Sequence, residues 1–143
     1  MCVAVVLVAG CGTVETRPPA PTPADFQGIT SEFAKRGLRV DRFVSGEAGC
    51  VDPVLTPTAI AFDAKGLDQP EVVRIYIYIF RNRATFERLR ASVDACAASF
   101  VTDPATYETV EQSPFVLASQ GPWGAEFERA LRDGLAGAAG TGN

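Results

Sequence analysis

The chain lacks histidine altogether. Without an imidazole it has no Ser-His-Asp or Cys-His catalytic set, no histidine base near neutral pH and no histidine ligand for a metal. The few cysteines form no CxxC pair, which excludes zinc ribbons and thioredoxin-type motifs. Glycine-rich phosphate loops, nucleophile elbows and EF-hand loops are missing as well. We therefore predict neither a cofactor nor a metal site, and we do not expect an enzyme.

Basic clusters are also missing. The 143 residues carry a net charge of −4 with a pI of about 4.8, and the arginines are scattered along the chain. This charge gives no reason to expect nucleic acid as a partner. Hydrophobic residues make up 47% of the chain, which is typical of a globular protein of this length with one folded domain.

No apolar run is long enough to span a bilayer as a helix, which takes roughly 20 residues. The run at the N-terminus covers about ten residues, the size of a signal-peptide hydrophobic region. It ends in Leu7-Val8-Ala9-Gly10-Cys11. This ending resembles the lipobox of bacterial lipoprotein signal peptides, in which an aliphatic residue and two small residues precede a lipidated cysteine.

The resemblance implies cleavage before Cys11 and diacylglycerol on its thiol. It predicts a small membrane-anchored lipoprotein of the bacterial cell envelope, facing the extracytoplasmic side. Signal peptides of this kind open with basic residues, whereas the first cation here is Arg17, so the true start of translation is expected upstream. The alternative interpretation is a buried strand over residues 3–8 followed by an incidental turn.

A proline-rich segment follows the lipobox. Residues 13–25 contain four prolines, which favour extended polyproline II. At ~3.1 Å per residue such a segment is a semi-rigid spacer of about 40 Å. The predicted division is a signal peptide over 1–10, a lipidated tether over 11–25, one folded domain over 26–136 and a disordered tail over 137–143.

The domain is expected to form around residues 71–100, a central strand followed by an amphipathic helix. Alternation along the strand places two sets of side chains on opposite faces. One face holds Val73, Ile75, Ile77 and Ile79; the other holds Arg74, Tyr76, Tyr78 and Phe80.

Patterning predicts a two-layer α+β sandwich, with about four mainly antiparallel strands and helices on one face, in the order α-β-β-β-α-β-α. Residues 102–113 are polar and are interpreted as a connection. The predicted elements are helices over 27–36, the segment after residue 82 and 125–135, and strands over 38–45, 58–62, 72–80 and 115–118.

The lipoprotein resemblance also implies a disulfide. If Cys2 is removed with the signal peptide and Cys11 is lipidated, Cys50 and Cys96 are the two thiols left in an exported domain, and their pairing is the expected outcome. The bond would close a loop of about 47 residues, for which chain entropy gives roughly 4 kcal/mol. The alternative is two free, buried cysteines.

The stripe Arg74, Tyr76, Tyr78 and Phe80 is the candidate binding face, because aromatic residues with an arginine are typical of recognition surfaces. It is expected to bind a small ligand or another envelope protein. The competing interpretation is that a helix or loops cover it.

We therefore predict a non-catalytic binding module anchored to a membrane. One alternative is a carboxylate-dependent envelope hydrolase, for which Glu47, Asp52 and Asp63 are the candidate acids. Another is a structural envelope component that oligomerises through the open face of its sheet.

Overall fold

The computed structural model describes residues 23–139. Five strands and three helices make up this part of the chain. In order they are α1 (Pro23–Lys35), β1 (Arg39–Ser45), β2 (Ala59–Gly66), β3 (Gln69–Ile79), α2 (Arg83–Ala97), β4 (Tyr107–Gln112), β5 (Phe115–Gln120) and α3 (Ala125–Ala139).

The strands form one antiparallel sheet in the order β1-β2-β3-β5-β4. Strand β3 lies at the centre, paired with β2 on one side and β5 on the other, as its long apolar pattern predicts. The register places Ile77 opposite both Ile60 and Leu117, so the aliphatic side chains of three strands meet in one row. The α+β class, the antiparallel sheet and the order of the predicted elements are confirmed.

The helices lie on both faces of the sheet, which differs from the expectation of helices on one face. Helices α1 and α3 cover the face that carries Ile75 and Ile77, where Phe33 and Leu131 are fully buried. Helix α2 covers the opposite face, where it buries Tyr78. The physical reason is that β3 carries large apolar side chains on both faces, so each face must be shielded from water.

The fifth strand is β4, which lies in the segment that we interpreted as a polar connection. Only Val110 of its six residues is buried, because β4 is at the edge of the sheet and pairs with one strand only, β5. The other boundaries shift by a few residues. Helix α1 begins at Pro23, inside the predicted tether, and α3 runs to Ala139, into the predicted tail.

Two helix ends agree with their sequence signals. The side chain of Asn82 accepts a hydrogen bond from the backbone N–H of Thr85 at 2.9 Å and caps α2, which is the position where asparagine is favoured. Gly37 has a φ of 84° after α1, a conformation in which a β-carbon is unfavourable. Both residues therefore end or begin a helix for the reason that the sequence indicates.

The predicted signal peptide, the lipobox with Cys11 and most of the proline-rich tether lie outside the described residues. Over residues 23–139, the helices are all too short or too polar to cross a bilayer.

Candidate functional site

Helix α2 covers only part of its face of the sheet. Toward the start of β3 and the end of β5 the same face is open and forms a groove of about 380 Å³. We call it the sheet groove. Its lining residues are Gln69, Val72, Val73, Arg74, Tyr76, Phe100, Ser119, Gln120, Gly121 and Pro122.

The predicted binding face is divided between this groove and the core. Tyr78 and Phe80 are 0% and 2% exposed, covered by α2 and by the loop after β1, so neither is available to a ligand. Arg74 and Tyr76 are half-buried and line the groove. Of the four predicted residues, only Arg74 and Tyr76 are therefore accessible at the groove, because α2 packs over the C-terminal half of β3 only.

An aromatic pair forms one wall of the sheet groove. The rings of Tyr76 and Phe100 have centroids 4.3 Å apart and are tilted by 32°. Gly49 backs this pair: a β-carbon there would lie 2.5 Å from Cδ1 of Phe100 and 2.9 Å from Cε1 of Tyr76. Partial burial, and secondarily the charge of Glu47, raises the pKa of the Tyr76 hydroxyl above its ordinary value of 10.0. A phenol is protonated near neutral pH even without this shift, so the hydroxyl is a neutral donor.

A charged cluster lies beside the aromatic pair. Nη1 of Arg74 donates to Oδ1 of Asp63 and to the carbonyl oxygen of Arg42, both at 2.9 Å. The side chain of Arg42 approaches the other oxygen of Asp63 at 3.3 Å. Asp63 is 7% exposed, and two guanidinium groups compensate its buried charge. This arrangement fixes the position of Arg74 at the groove.

The bulge in β1 brings Arg42 to this cluster. The register of β1 against β2 shifts between Asp41 and Val44, and Arg42 has a φ of 54°. A left-handed conformation costs a residue with a β-carbon roughly 1–2 kcal/mol. The extra residue also returns Phe43 to the opposite face, where its ring lies 5.4 Å from that of Phe26.

The amide and hydroxyl side chains of the groove are already engaged within the domain. Oε1 of Gln120 accepts from the backbone N–H of Thr102 at 2.7 Å, and its Nε2 donates to the carbonyl of Gly121 at 2.9 Å. Oε1 of Gln69 accepts from the backbone N–H of Gly124 at 3.0 Å. Ser119 donates to the carbonyl of Arg74 at 2.8 Å. These groups shape the groove, whereas the side chains of Arg74 and Tyr76, which also interact with each other, are the polar groups that line it with donors left over.

The disulfide between Cys50 and Cys96 is present, with Cα atoms 5.4 Å apart. It joins the loop over residues 46–55, which we call the disulfide loop, to the last turn of α2. The loop carries Gly49, and Phe100 follows α2 by three residues. The bond therefore holds together the two segments that build the aromatic wall.

The three candidate acids have separate structural roles. Glu47 accepts from the backbone N–H of Gly49 at 2.8 Å. Asp52 accepts from the N–H groups of Val54 and Leu55 at 2.8 and 3.0 Å. Asp63 is held by the two arginines, and none of the three lines the sheet groove. Within residues 23–139, there is also no cluster of acids and cysteines that could hold a metal ion.

Two features of the site were missed in the sequence. The predicted strand and helix extend over residues 71–100, whereas α2 ends at Ala97 and Phe100 turns toward the groove. The predicted strand over 58–62 stops before Asp63, whereas β2 runs to Gly66 and includes Asp63. A charged residue in an otherwise apolar strand was the available signal for a buried ion pair.

Comparison of the chain with models of protein families, with curated proteins and with solved structures finds no match.

Proposed function

We propose that this protein is a lipoprotein of the bacterial cell envelope whose domain binds a ligand through the sheet groove and does no chemistry on it. The observation that carries the proposal is the groove itself. It combines an aromatic wall, Tyr76 with Phe100, and one arginine beside it. Ligand sites are typically concave, largely apolar and provided with a few oriented polar groups.

Pre-organisation supports binding at this place. Arg74 is held by Asp63, and Phe100 is held between Tyr76 and Gly49. A ligand would therefore meet side chains that are already ordered, which reduces the entropy lost on association. Over residues 23–139, the groove lining has an arginine and a neutral tyrosine but no carboxylate, so general acid–base hydrolysis is poorly supported.

The envelope location follows from the lipobox resemblance and is supported by the disulfide, since such bonds persist outside the reducing cytosol. The test is to express the chain with its complete natural leader in a bacterium and to supply an alkyne-tagged fatty acid. The label should appear on the wild-type protein and disappear in Cys11→Ala. A Cys2→Ala control should remain labelled. An unlabelled wild-type protein would end the anchoring proposal.

Binding is tested by a ligand-observed NMR screen of a fragment library against the full chain. Compounds that use the groove should lose their saturation-transfer signal with Tyr76→Ala. Phe43→Ala is the matched control, because Phe43 is a partly exposed aromatic on the opposite face of the sheet. Hits that behave identically with both variants would remove the groove from the proposed function.

A further inference from the structure

The sheet groove has a charge of one sign. Among the residues described, Arg74 is the only charged side chain in its lining, and it is about one-third exposed. Its neighbour Arg42 is largely exposed and pairs with the same carboxylate, that of Asp63. Two guanidinium groups share one carboxylate, so this ion-pair cluster itself carries an excess of one positive charge.

Arg74 has hydrogen-bonding capacity left for a ligand. Its contacts to Asp63 and to the carbonyl of Arg42 both use Nη1. A guanidinium has five N–H groups, and one of those of Arg74 interacts with the Tyr76 hydroxyl. Two N–H groups remain, which is the number that the two oxygens of a carboxylate accept in a bidentate pair. The hydroxyl of Tyr76 is a further donor on the same strand face, whereas the two glutamines of the groove are committed to backbone groups.

We propose that the sheet groove binds a small organic carboxylate with a flat or compact apolar body. Arg74 pairs with the carboxylate, and the body stacks against Tyr76 and Phe100. The volume of about 380 Å³ is near the lower end of the usual range for small-molecule sites, ~300–1,000 Å³, which favours a small acid over a folded partner. The inference rests on the proposed function and names the ligand class of the same groove.

Acids near the groove do not cancel this attraction. Asp41 lies opposite Asp63 in the strand register, and Lys65 lies opposite Arg39 in the same strand pair. The charge of Glu47 acts on Tyr76. Glu108 lies against Gly121, where its carboxylate accepts from the backbone N–H of Trp123 at 3.4 Å. None of these side chains lines the groove. A ligand carboxylate would therefore contact Arg74 directly, whereas its repulsion by the acids would be screened by water and salt.

The test is a matched pair of probes, phenylacetate and phenylacetamide, which share shape and differ in charge. Each is titrated into the 15N-labelled full chain, and Kd is taken from amide shifts of groove residues. We expect the acid to bind at least about tenfold more tightly than the amide, the usual scale for a hydrogen-bonded charge. Arg74→Gln should abolish that difference, and Arg42→Gln is the matched control that should largely keep it.

Arg74→Gln leaves Asp63 without its closer partner and could therefore disturb the fold. Two further variants separate such a disturbance from the loss of the ligand contact. Arg74→Lys keeps the charge and loses the planar fork, so it should bind the acid with intermediate affinity. The double variant Asp63→Asn with Arg74→Gln removes both charges together and should bind acid and amide equally.

The outcomes separate this inference from the proposed function. Equal binding of acid and amide in the groove of the wild-type chain would overturn the carboxylate assignment while leaving a binding groove. Binding of neither probe to the groove would also overturn it, and the fragment screen with Tyr76→Ala would then decide the proposed function alone. Preference for the acid that survives Arg74→Gln would place the anion elsewhere and contradict the inference.

Discussion

The hydroxyl of Tyr78 donates a hydrogen bond to the carbonyl oxygen of Ala48 across 2.7 Å, between two fully buried residues. This contact joins the central strand to the disulfide loop. Burial is the main cause that raises the pKa of Tyr78, and a phenol is protonated near neutral pH in any case, so the hydroxyl can donate this bond. Tyr76, two residues earlier on the same strand face, has its ring at the groove instead. The two tyrosines thus differ in their surroundings, since Tyr78 lies in the core and Tyr76 lines the groove.

Removing the Tyr78 hydroxyl should destabilise the domain. In Tyr78→Phe the buried carbonyl of Ala48 loses this donor, and we expect the free energy of unfolding to fall by about 1–3 kcal/mol. Urea denaturation measures the change. Tyr76→Phe is the matched control and should change stability by less than about 0.5 kcal/mol. Equal losses in the two variants would refute the stabilising role of the Tyr78 hydroxyl.

Two glycines of the disulfide loop provide a second matched comparison. Gly46 and Gly49 have similar φ values, 75° and 78°, but only Gly49 has atoms within 4 Å of a built β-carbon. Gly46→Ala should therefore cost roughly 1–2 kcal/mol from conformation alone. Gly49→Ala should cost about 1–3 kcal/mol more, because it must displace Phe100. It should also shift the resonances of the Tyr76 ring, and an unshifted ring would contradict the packing described.

The disulfide should contribute strongly to stability. Closing a loop of about 47 residues predicts roughly 4 kcal/mol from the entropy of the unfolded chain. Reduction should lower the midpoint of urea unfolding by a corresponding amount. The double variant Cys50→Ala with Cys96→Ala is the control, since its midpoint should be low and insensitive to reductant. A wild-type unfolding midpoint that does not change with reductant would show that the disulfide does not stabilise the fold.

The stability of the domain should depend on pH through the carboxylate of Asp68. From the turn between β2 and β3 its carboxylate accepts from the backbone N–H groups of Phe127 and Glu126, at 2.8 and 3.0 Å, and so caps α3. These bonds, chiefly that from Glu126, lower the pKa of Asp68 below its ordinary value of 3.8. The folded state then releases this proton more readily than the unfolded state, so the stabilisation is complete above that value and lost below it.

The corresponding measurement is thermal unfolding of wild type and Asp68→Asn at about pH 7 and about pH 3. Asparagine keeps an acceptor oxygen and removes the charge, so the wild type should have the higher Tm at neutral pH and the gap should shrink in acid. Glu71→Gln controls for net charge. A gap that stays constant with pH would contradict the role assigned to the carboxylate.

The central part of the fold could be predicted from the sequence because the signals there are strong. Strand β3 has a long alternation that ends in Ile77 and Ile79, and Asn82 and Gly37 are standard residues for helix ends. Strand β4 could not be predicted, since an edge strand with one buried residue, Val110, resembles a polar loop. The bulge at Arg42 was equally hidden, because alternation alone does not indicate an inserted residue.

The candidate site was predicted only in part, for a reason of packing. Alternation correctly places Arg74, Tyr76 and Tyr78 on one face of β3, with Phe80 directly after the strand, but it does not show how far a helix extends over that face. The cover ends between Tyr78 and Tyr76. Phe100 and Gly49 reach the groove from distant segments, and only the tertiary fold brings them together. The Cys50–Cys96 pairing, in contrast, was confirmed.

The most direct test of the account is a map of amide chemical-shift changes on the full chain for the compounds that the fragment screen identifies. The account predicts changes concentrated at the sheet groove, on Val72, Ser119 and Gly121, and their loss in Tyr76→Ala. Changes concentrated on α1 and α3 instead, or changes at the groove that persist unaltered in Tyr76→Ala, would contradict the claim that the uncovered half of the sheet is the binding site.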